Sequence, residues 1–419
     1  MTQKSIRNRR GSRNAPILSP GANIAVIGAG IVGTCCAAEL CERGYRVTLF
    51  DRGAPGQEGA SRGNAGQIVP SLILPVGYPG IARHALGMLL DPHSPLSIPP
   101  SYMPRLLPWL MRFLAASRRR NYQRGIESLA SLNARALEAT RDLYRRADLL
   151  SSLRRTGALY LYESAGSLAR AGRDWAVKGR HGYDHEFIGP DRIQAMEPAL
   201  ARAFMGAVFE KSLSHVADPL GIVEGVFRYA ASRGTVLHQG EARIGELSSE
   251  GIVVHTADGA RYSFDGLVIA AGAWSGSLLK QIGDDILLES ERGYNTTIER
   301  PGVEIRHCLV FVDRGFVASP LAPGLRIGGC VELAGLDAPP NPRRIERILE
   351  VARRFIPELD DSGGRTWMGH RPATPDSVPV IRPSSSDERI VYAFGHGHLG
   401  LTQGPLTGRM VAELFSGAS

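Results

Sequence analysis

The chain has 419 residues, 43% hydrophobic and 21% charged, with a net charge of +8 and five cysteines. This length calls for about two to three structural units with a core that needs no disulfides, and the composition excludes a low-complexity chain. The positive excess gathers at Arg7, Arg9, Arg10 and Arg13 in a polar leader and at Arg118, Arg119 and Arg120; without aromatic interleaving or a recognition motif, these clusters exclude nucleic-acid binding.

Residues 1–22 carry no apolar signal-peptide core and read as a disordered leader. No run of about 18 apolar residues is present to span a bilayer. Cys35, Cys36, Cys41, Cys308 and Cys330 form no Cys-x-x-Cys pair and have no histidines at metal spacing, so free, buried thiols in a reducing cytoplasm are expected.

Ile24-Ala25-Val26-Ile27 is a short, fully apolar run of the kind found in central parallel strands. Gly28-Ala29-Gly30-Ile31-Val32-Gly33 follows at once, then a helix over 34–43 ended by Gly44, and a second strand over 46–50 closing on Asp51 and Arg52. Each part has a physical role in holding a dinucleotide. Gly28 permits the tight turn, Gly30 the approach of a pyrophosphate, and Gly33 close packing of helix on strand. The helix start supplies free N–H groups, and Asp51, about twenty residues on, accepts from ribose hydroxyls. This unit alone serves FAD and NAD equally. Ser61-Arg62-Gly63-Asn64-Ala65-Gly66, a second glycine-rich polar segment, favours FAD, whose extended ribityl-pyrophosphate needs small polar groups along it.

Further on, 102–116 places Met103, Leu106, Leu107, Leu110, Phe113 and Leu114 at helical spacing before the arginine run. Packing on the chain's own core is preferred over a seat on an anionic membrane. Asp218-Pro219 starts a helix to about Ser232, and Asp258-Gly259 is a hairpin turn. Leu267 to Ala270 is another buried strand, running into Ala271-Gly272-Ala273-Trp274. Gly395-His396-Gly397-His398-Leu399-Gly400-Leu401-Thr402 opens a final helix over 405–415. His396 and His398, two apart with no carboxylate or cysteine beside them, do not make a metal site.

These motifs occur in order with Trp367-Met368-Gly369-His370-Arg371-Pro372-Ala373-Thr374-Pro375-Asp376, with 88–96 and with Pro108-Trp109-Leu110. Together they resemble the D-amino-acid oxidase superfamily of FAD enzymes, most of all its bacterial D-amino-acid dehydrogenase branch, from about residue 22 to the end. The resemblance implies an α/β fold: a discontinuous Rossmann-type FAD-binding domain (22–75, 214–285 and 362–419) and an α+β substrate domain on a mixed sheet (76–213 and 286–361). It implies FAD held by Gly28, Gly30, Ile31, Val32, Gly33, Asp51, Arg52, Ser61, Asn64, Ala65, Gly66, Ala271, Gly272, Trp274, Gly397, Leu399, Gly400 and Thr402. Arg371 matches the arginine that anchors the substrate carboxylate, Tyr294 the tyrosine that lies over the substrate, and His398 falls beside the flavin. The chain departs from the family at His370, usually apolar or aromatic, and at Arg382, where glycine is common.

The reaction implied is hydride transfer from a D-amino acid to the flavin, with D-proline or hydroxy-D-proline as an option and a quinone-type acceptor. Because the cofactor carries such chemistry, no acid–base pair or nucleophile is expected. A glycine- or sarcosine-type amine oxidase using oxygen is the alternative enzyme, and a non-catalytic flavoprotein subunit the alternative of another class. The location expected is the cytoplasm, with the inner face of the plasma membrane as a peripheral seat.

Overall fold

The computed structural model describes residues 17–90 and 94–417. Most of the leader, with its arginines, and residues 91–93 lie outside the described residues. The described end of the leader corrects the expectation of disorder up to residue 22. Leu18 N–H donates to the Phe415 carbonyl and Gly21 N–H to that of Gly44, both at 2.8 Å, which ties the segment to the first and last helices of the fold.

One described sheet has the strand order Val236–Gln239, Arg46–Asp51, Asn23–Ile27, Gly266–Ile269, Ile390–Phe394, Val380–Pro383. The first five are parallel and the last is an antiparallel edge. The apolar run in its centre is covered on both faces. Ile24 and Val26 pack under the helices. Ala25 and Ile27 pack against the antiparallel sheet Ala242–Ser248, Gly251–Thr256, Arg261–Phe264. This two-sided burial explains why the strand is apolar throughout rather than alternating. The hairpin at Asp258-Gly259 forms as expected, with Gly259 at φ +85°.

The fingerprint helix spans Ile31–Glu42, three residues longer at its start than the sequence suggests, because the glycine turn itself supplies the first helical turn. Gly44 ends it at φ +82°. Its three cysteines face the core, and burial raises their thiol pKa values, which disfavours the thiolate. The final helix spans Gly400–Ser416, not 405–415; Pro405 lies inside it and forgoes one backbone hydrogen bond. The two helices pack directly on each other, with Gly408 against the Cys35 backbone.

The larger described sheet is mixed, as expected of the substrate unit. Its order is Arg365–Ala373, Glu289–Ile298, Gly324–Leu333, Phe316–Leu321, Cys308–Phe311, Ala158–Tyr162, Gly206–Glu210, His185–Ile188, with Leu96–Ser97 pairing beside Gly324–Leu333. One strand departs from the expected partition at 362. Arg365–Ala373 pairs along its full length with Glu289–Ile298, so the chain leaves the larger sheet only after Ala373.

A Cβ on Gly408 would stand 2.5 Å from the Cys35 carbonyl oxygen. Gly408→Val is expected to force the two helices apart and lower the unfolding free energy by about 1–3 kcal/mol, measured by urea unfolding of the purified protein.

Candidate active site

A cavity of about 700 Å³ opens above the carboxyl ends of the parallel strands, where ligands bind in open α/β sheets. It is lined by residues far apart in sequence: Gly28, Gly30, Ile31 and Val32; Asp51 and Arg52; Ser61 and Asn64; Ala271, Gly272 and Trp274; Gly397 and Gly400. Gly28 has φ +109°, and a Cβ there would meet the Ala270 carbonyl oxygen at 2.4 Å. Asp51 Oδ2 accepts the Ala29 N–H at 2.5 Å, which fixes its carboxylate over the turn. Ser61 Oγ accepts the Ile31 N–H at 3.1 Å, drawing the second glycine-rich segment onto the helix start. A cavity of ligand size, an ionisable acid at one end of the turn and a helix N-terminus at the other fit FAD. The acid would hold the ribose and the helix start the pyrophosphate.

Not every expected cofactor residue lines this cavity. Gly33, Ala65, Gly66, Leu399 and Thr402 lie outside its lining. Gly33 sits against the Gly28 carbonyl, where a Cβ would come within 1.7 Å. Gly66 N–H donates to Asn64 Oδ1 at 2.8 Å, Thr402 Oγ1 accepts the Val69 N–H at 3.0 Å, and Leu399 packs beside Ile73, Ile126 and Leu129. The lining also includes Glu58, Gly240 to Ile244, His370, Pro372 and His396, which sequence reasoning did not select. The 240–244 stretch has no motif. It arrives because Val236–Gln239 lies parallel to Arg46–Asp51, which carries the following loop over Asp51, and Gly240 N–H donates to the Asp51 carbonyl at 2.7 Å.

The substrate-side residues divide into two groups. Arg371 lies between His370 and Pro372, which line the cavity, but is itself outside the lining, since alternation along the strand turns its side chain to the other face of the sheet. Its Nη1 donates to Glu291 Oε1 at 2.9 Å and to the Cys330 carbonyl at 3.2 Å. The guanidinium occupies the space above Gly293, where a Cβ would come within 2.1 Å of it. Cys330 has φ +51°, a strained value for a side-chain-bearing residue, at a bulge between its strand and Glu289–Ile298. His398 Nε2 lies 2.8 Å from the same Glu291 oxygen. Burial raises the Glu291 carboxyl, but His398 and Arg371 outweigh it and hold it at about 2, so the carboxylate is ionised.

Tyr294 is not part of this group, which corrects its placement over a substrate. It is 1% exposed, its hydroxyl donates to Glu332 at 2.5 Å, and it accepts the Asn341 N–H at 3.0 Å. Arg292 donates to that same Glu332 carboxylate. These bonds belong to the core of the larger sheet. The two departures from the family also separate. His370 faces the cavity, bonded to Ser290 Oγ at 2.7 Å with its ring 5.2 Å from that of Trp274. Arg382 instead stacks over Tyr392, away from the cavity lining. The two histidines of the 395–400 loop point apart: His396 Nε2 bonds Thr407 Oγ1 at 2.8 Å inside the fold, while His398 turns to Glu291.

Comparison with known proteins agrees with this geometry. The model of a family of FAD-dependent oxidoreductases, DAO, matches residues 23–414. The chain is 34% identical over 403 residues to a D-amino-acid oxidase of Bradyrhizobium diazoefficiens, covering 95% of this chain and 96% of the relative. It is 30% identical over 421 residues to a D-amino acid dehydrogenase of Methylobacterium radiotolerans, covering 94% and 96%. Its fold is that of glycine oxidase from Geobacillus kaustophilus, with a TM-score of 0.71 at 21% identity over 95% of this chain and 96% of that one.

Two pH windows follow from the buried groups. Burial lowers His396 to about 4; burial, with Arg292 and Arg52, does the same to His370. Unfolded histidine titrates near about 6.5, so between these values the unfolded chain binds more protons. Stability is therefore complete above about pH 6.5 and falls as pH drops towards 4, by roughly 3 kcal/mol for His396 alone. Glu291 has the opposite shift, and its contribution is lost only below about pH 4.5. Urea unfolding across pH 4–8 is expected to show the upper fall, and His396→Gln to flatten it.

Proposed function

The chain belongs to the DAO family of FAD-dependent oxidoreductases, and from that premise we propose that it oxidises a D-amino acid to the imino acid, which water then converts to a 2-oxo acid and ammonia. The observation that carries this reading is Arg371. It combines the family motif with a partly exposed side chain that is already held in place by Glu291 and the Cys330 carbonyl. Both bonds use Nη1, which leaves the Nε–Nη2 edge to grip a carboxylate with two parallel hydrogen bonds. Bound FAD supplies the hydride acceptor. The chain's own residues fix the substrate by its carboxylate and shield the reacting carbon between the two sheets. The names of the relatives at 34% and 30% identity support the D-configuration. A ring substrate such as D-proline or hydroxy-D-proline is included in the proposal, since His370 and Trp274 line the cavity with flat side chains.

For the electron acceptor we favour a quinone reached at a membrane surface. The helix Met103–Ala116 divides its apolar residues between two directions. Leu106 and Trp109 are buried, and the Trp109 indole N–H donates to the Ala373 carbonyl at 3.0 Å. Leu107, Met111 and Leu114 are 50%, 64% and 39% exposed, beside exposed Arg112 and Arg118 to Arg120. An outward apolar row rimmed by arginine suits an anionic lipid surface. No helix among the described residues is long and apolar enough to cross a membrane, so the contact proposed is peripheral.

Anaerobic mixing with D-alanine, D-proline and their L-forms is expected to bleach the flavin with D-substrates only. Arg371→Ala is expected to retain FAD yet bind substrate about 10–100-fold more weakly, the loss of a charge-assisted pair; unchanged affinity would refute the carboxylate role. Co-sedimentation with vesicles containing phosphatidylserine, but not with pure phosphatidylcholine, is expected of the intact protein. The double variant Leu107→Asp with Met111→Asp is expected to abolish it.

A further inference from the structure

Amine oxidation by hydride loss has a proton requirement that the carboxylate anchor does not meet. As the hydride leaves Cα, the nitrogen lone pair forms the C=N bond. An α-ammonium has no lone pair, so one proton must first go to a base. The sequence suggested no acid–base pair, yet one stands beside Arg371.

His398 is a loop residue, 41% exposed, next to Gly397 at the cavity wall. Its Nε2 lies 2.8 Å from Glu291 Oε1, the oxygen that also accepts from Arg371. An ionised carboxylate only accepts hydrogen bonds. In the neutral tautomer this contact leaves the hydrogen on Nε2 and the lone pair on Nδ1. Among the described residues Nδ1 has no protein partner. Glu291 is buried and held by Arg371, so it orients the ring as a carboxylate orients the histidine of a hydrolytic triad. The charged group in contact with His398 is Glu291, which Arg371 holds from its other side. Arg371 and His398 meet on one oxygen of Glu291, so a substrate carboxylate held by Arg371 would lie beside the loop that carries His398.

The geometry points to His398 as the base that takes the α-ammonium proton of the substrate, with Glu291 as the positioning residue. This rests on the reading of Arg371 as the carboxylate anchor. In the step, one N–H bond of the ammonium breaks and one Nδ1–H bond forms. The free amine can then give up hydride, for which bound FAD would be the acceptor, as its lone pair forms the C=N bond; the product is the iminium, and the imidazolium returns its proton to solvent.

The test uses the holoenzyme in anaerobic single-turnover reduction by a D-amino acid between pH 6 and 10. It is paired with binding of propionate, a carboxylate with no amine, followed through the flavin spectrum. General-base catalysis contributes about 10²–10⁴-fold. His398→Gln is expected to slow flavin reduction by about 10²-fold at pH 7.5 and to move the rising limb of the pH profile to higher pH. Its propionate affinity should stay within about twofold of wild type. Glu291→Gln is expected to move the same limb, and added imidazole to restore part of the rate in His398→Ala. An unchanged rate and profile in His398→Gln overturns the proposal, as does a loss that is equal at every pH and unrescued by imidazole. In both cases the function itself stands if wild type is still reduced. A wild-type flavin that no D-amino acid reduces would sink the parent reading and this proposal with it.

Discussion

Everything at this site depends on one short seam between the two sheets. The Gly397 N–H donates to the Pro372 carbonyl at 2.9 Å, and Ala373 bridges to His396. Pro372 and Ala373 end a strand of the larger sheet, whereas His396 and Gly397 follow the strand Ile390–Phe394 of the smaller one. Without this seam Arg371 and His398 would belong to separate units. With it, both reach the one carboxylate of Glu291. The Trp109 indole adds a further bond at the Ala373 carbonyl, so the helix with the outward apolar row is fixed to the same point.

The seam also explains the electrostatic design. A lone arginine at a cavity wall would hold its charge whether or not a substrate was present and would be free to swing. Glu291 and the Cys330 carbonyl both take Nη1, which fixes the plane of the guanidinium before any ligand arrives. The strained backbone at Cys330 is part of this: its left-handed turn aims the carbonyl inward. Preorganisation of this kind lowers the ordering cost of binding. Gly293 leaves the room in which the guanidinium lies.

What the sequence made legible, and what it hid, follows physical lines. The fingerprint, Asp51 and the Ser61–Gly66 segment were readable because each needs particular backbone geometry within a few residues. Arg371 was readable only through family resemblance, since nothing local distinguishes it from the other arginines. Glu291 could not be found by pattern. It is an acid in a strand of otherwise mixed polarity, and its meaning arises from partners 80 and 107 positions away, Arg371 and His398. Tyr294 was misplaced for the same reason: its neighbour Glu332 comes from a paired strand, and only strand register reveals that the hydroxyl is already taken. The apolar row at 103–116 was only half readable, since helical spacing cannot say which of its apolar residues the core has room for.

The strand order of the smaller sheet has a consequence for how the molecule is made. Its centre, Asn23–Ile27, is flanked by residues 46–51 and 266–269, and Ile390–Phe394 joins only beyond the latter. The glycine turn at one end of the cavity thus emerges from the ribosome first, while the wall at Gly397 and Gly400 emerges nearly last. Contacts of such long sequence separation form slowly, and partly folded chains of this size expose apolar surface in the meantime. The cavity is therefore complete only once the C-terminal helix is in place.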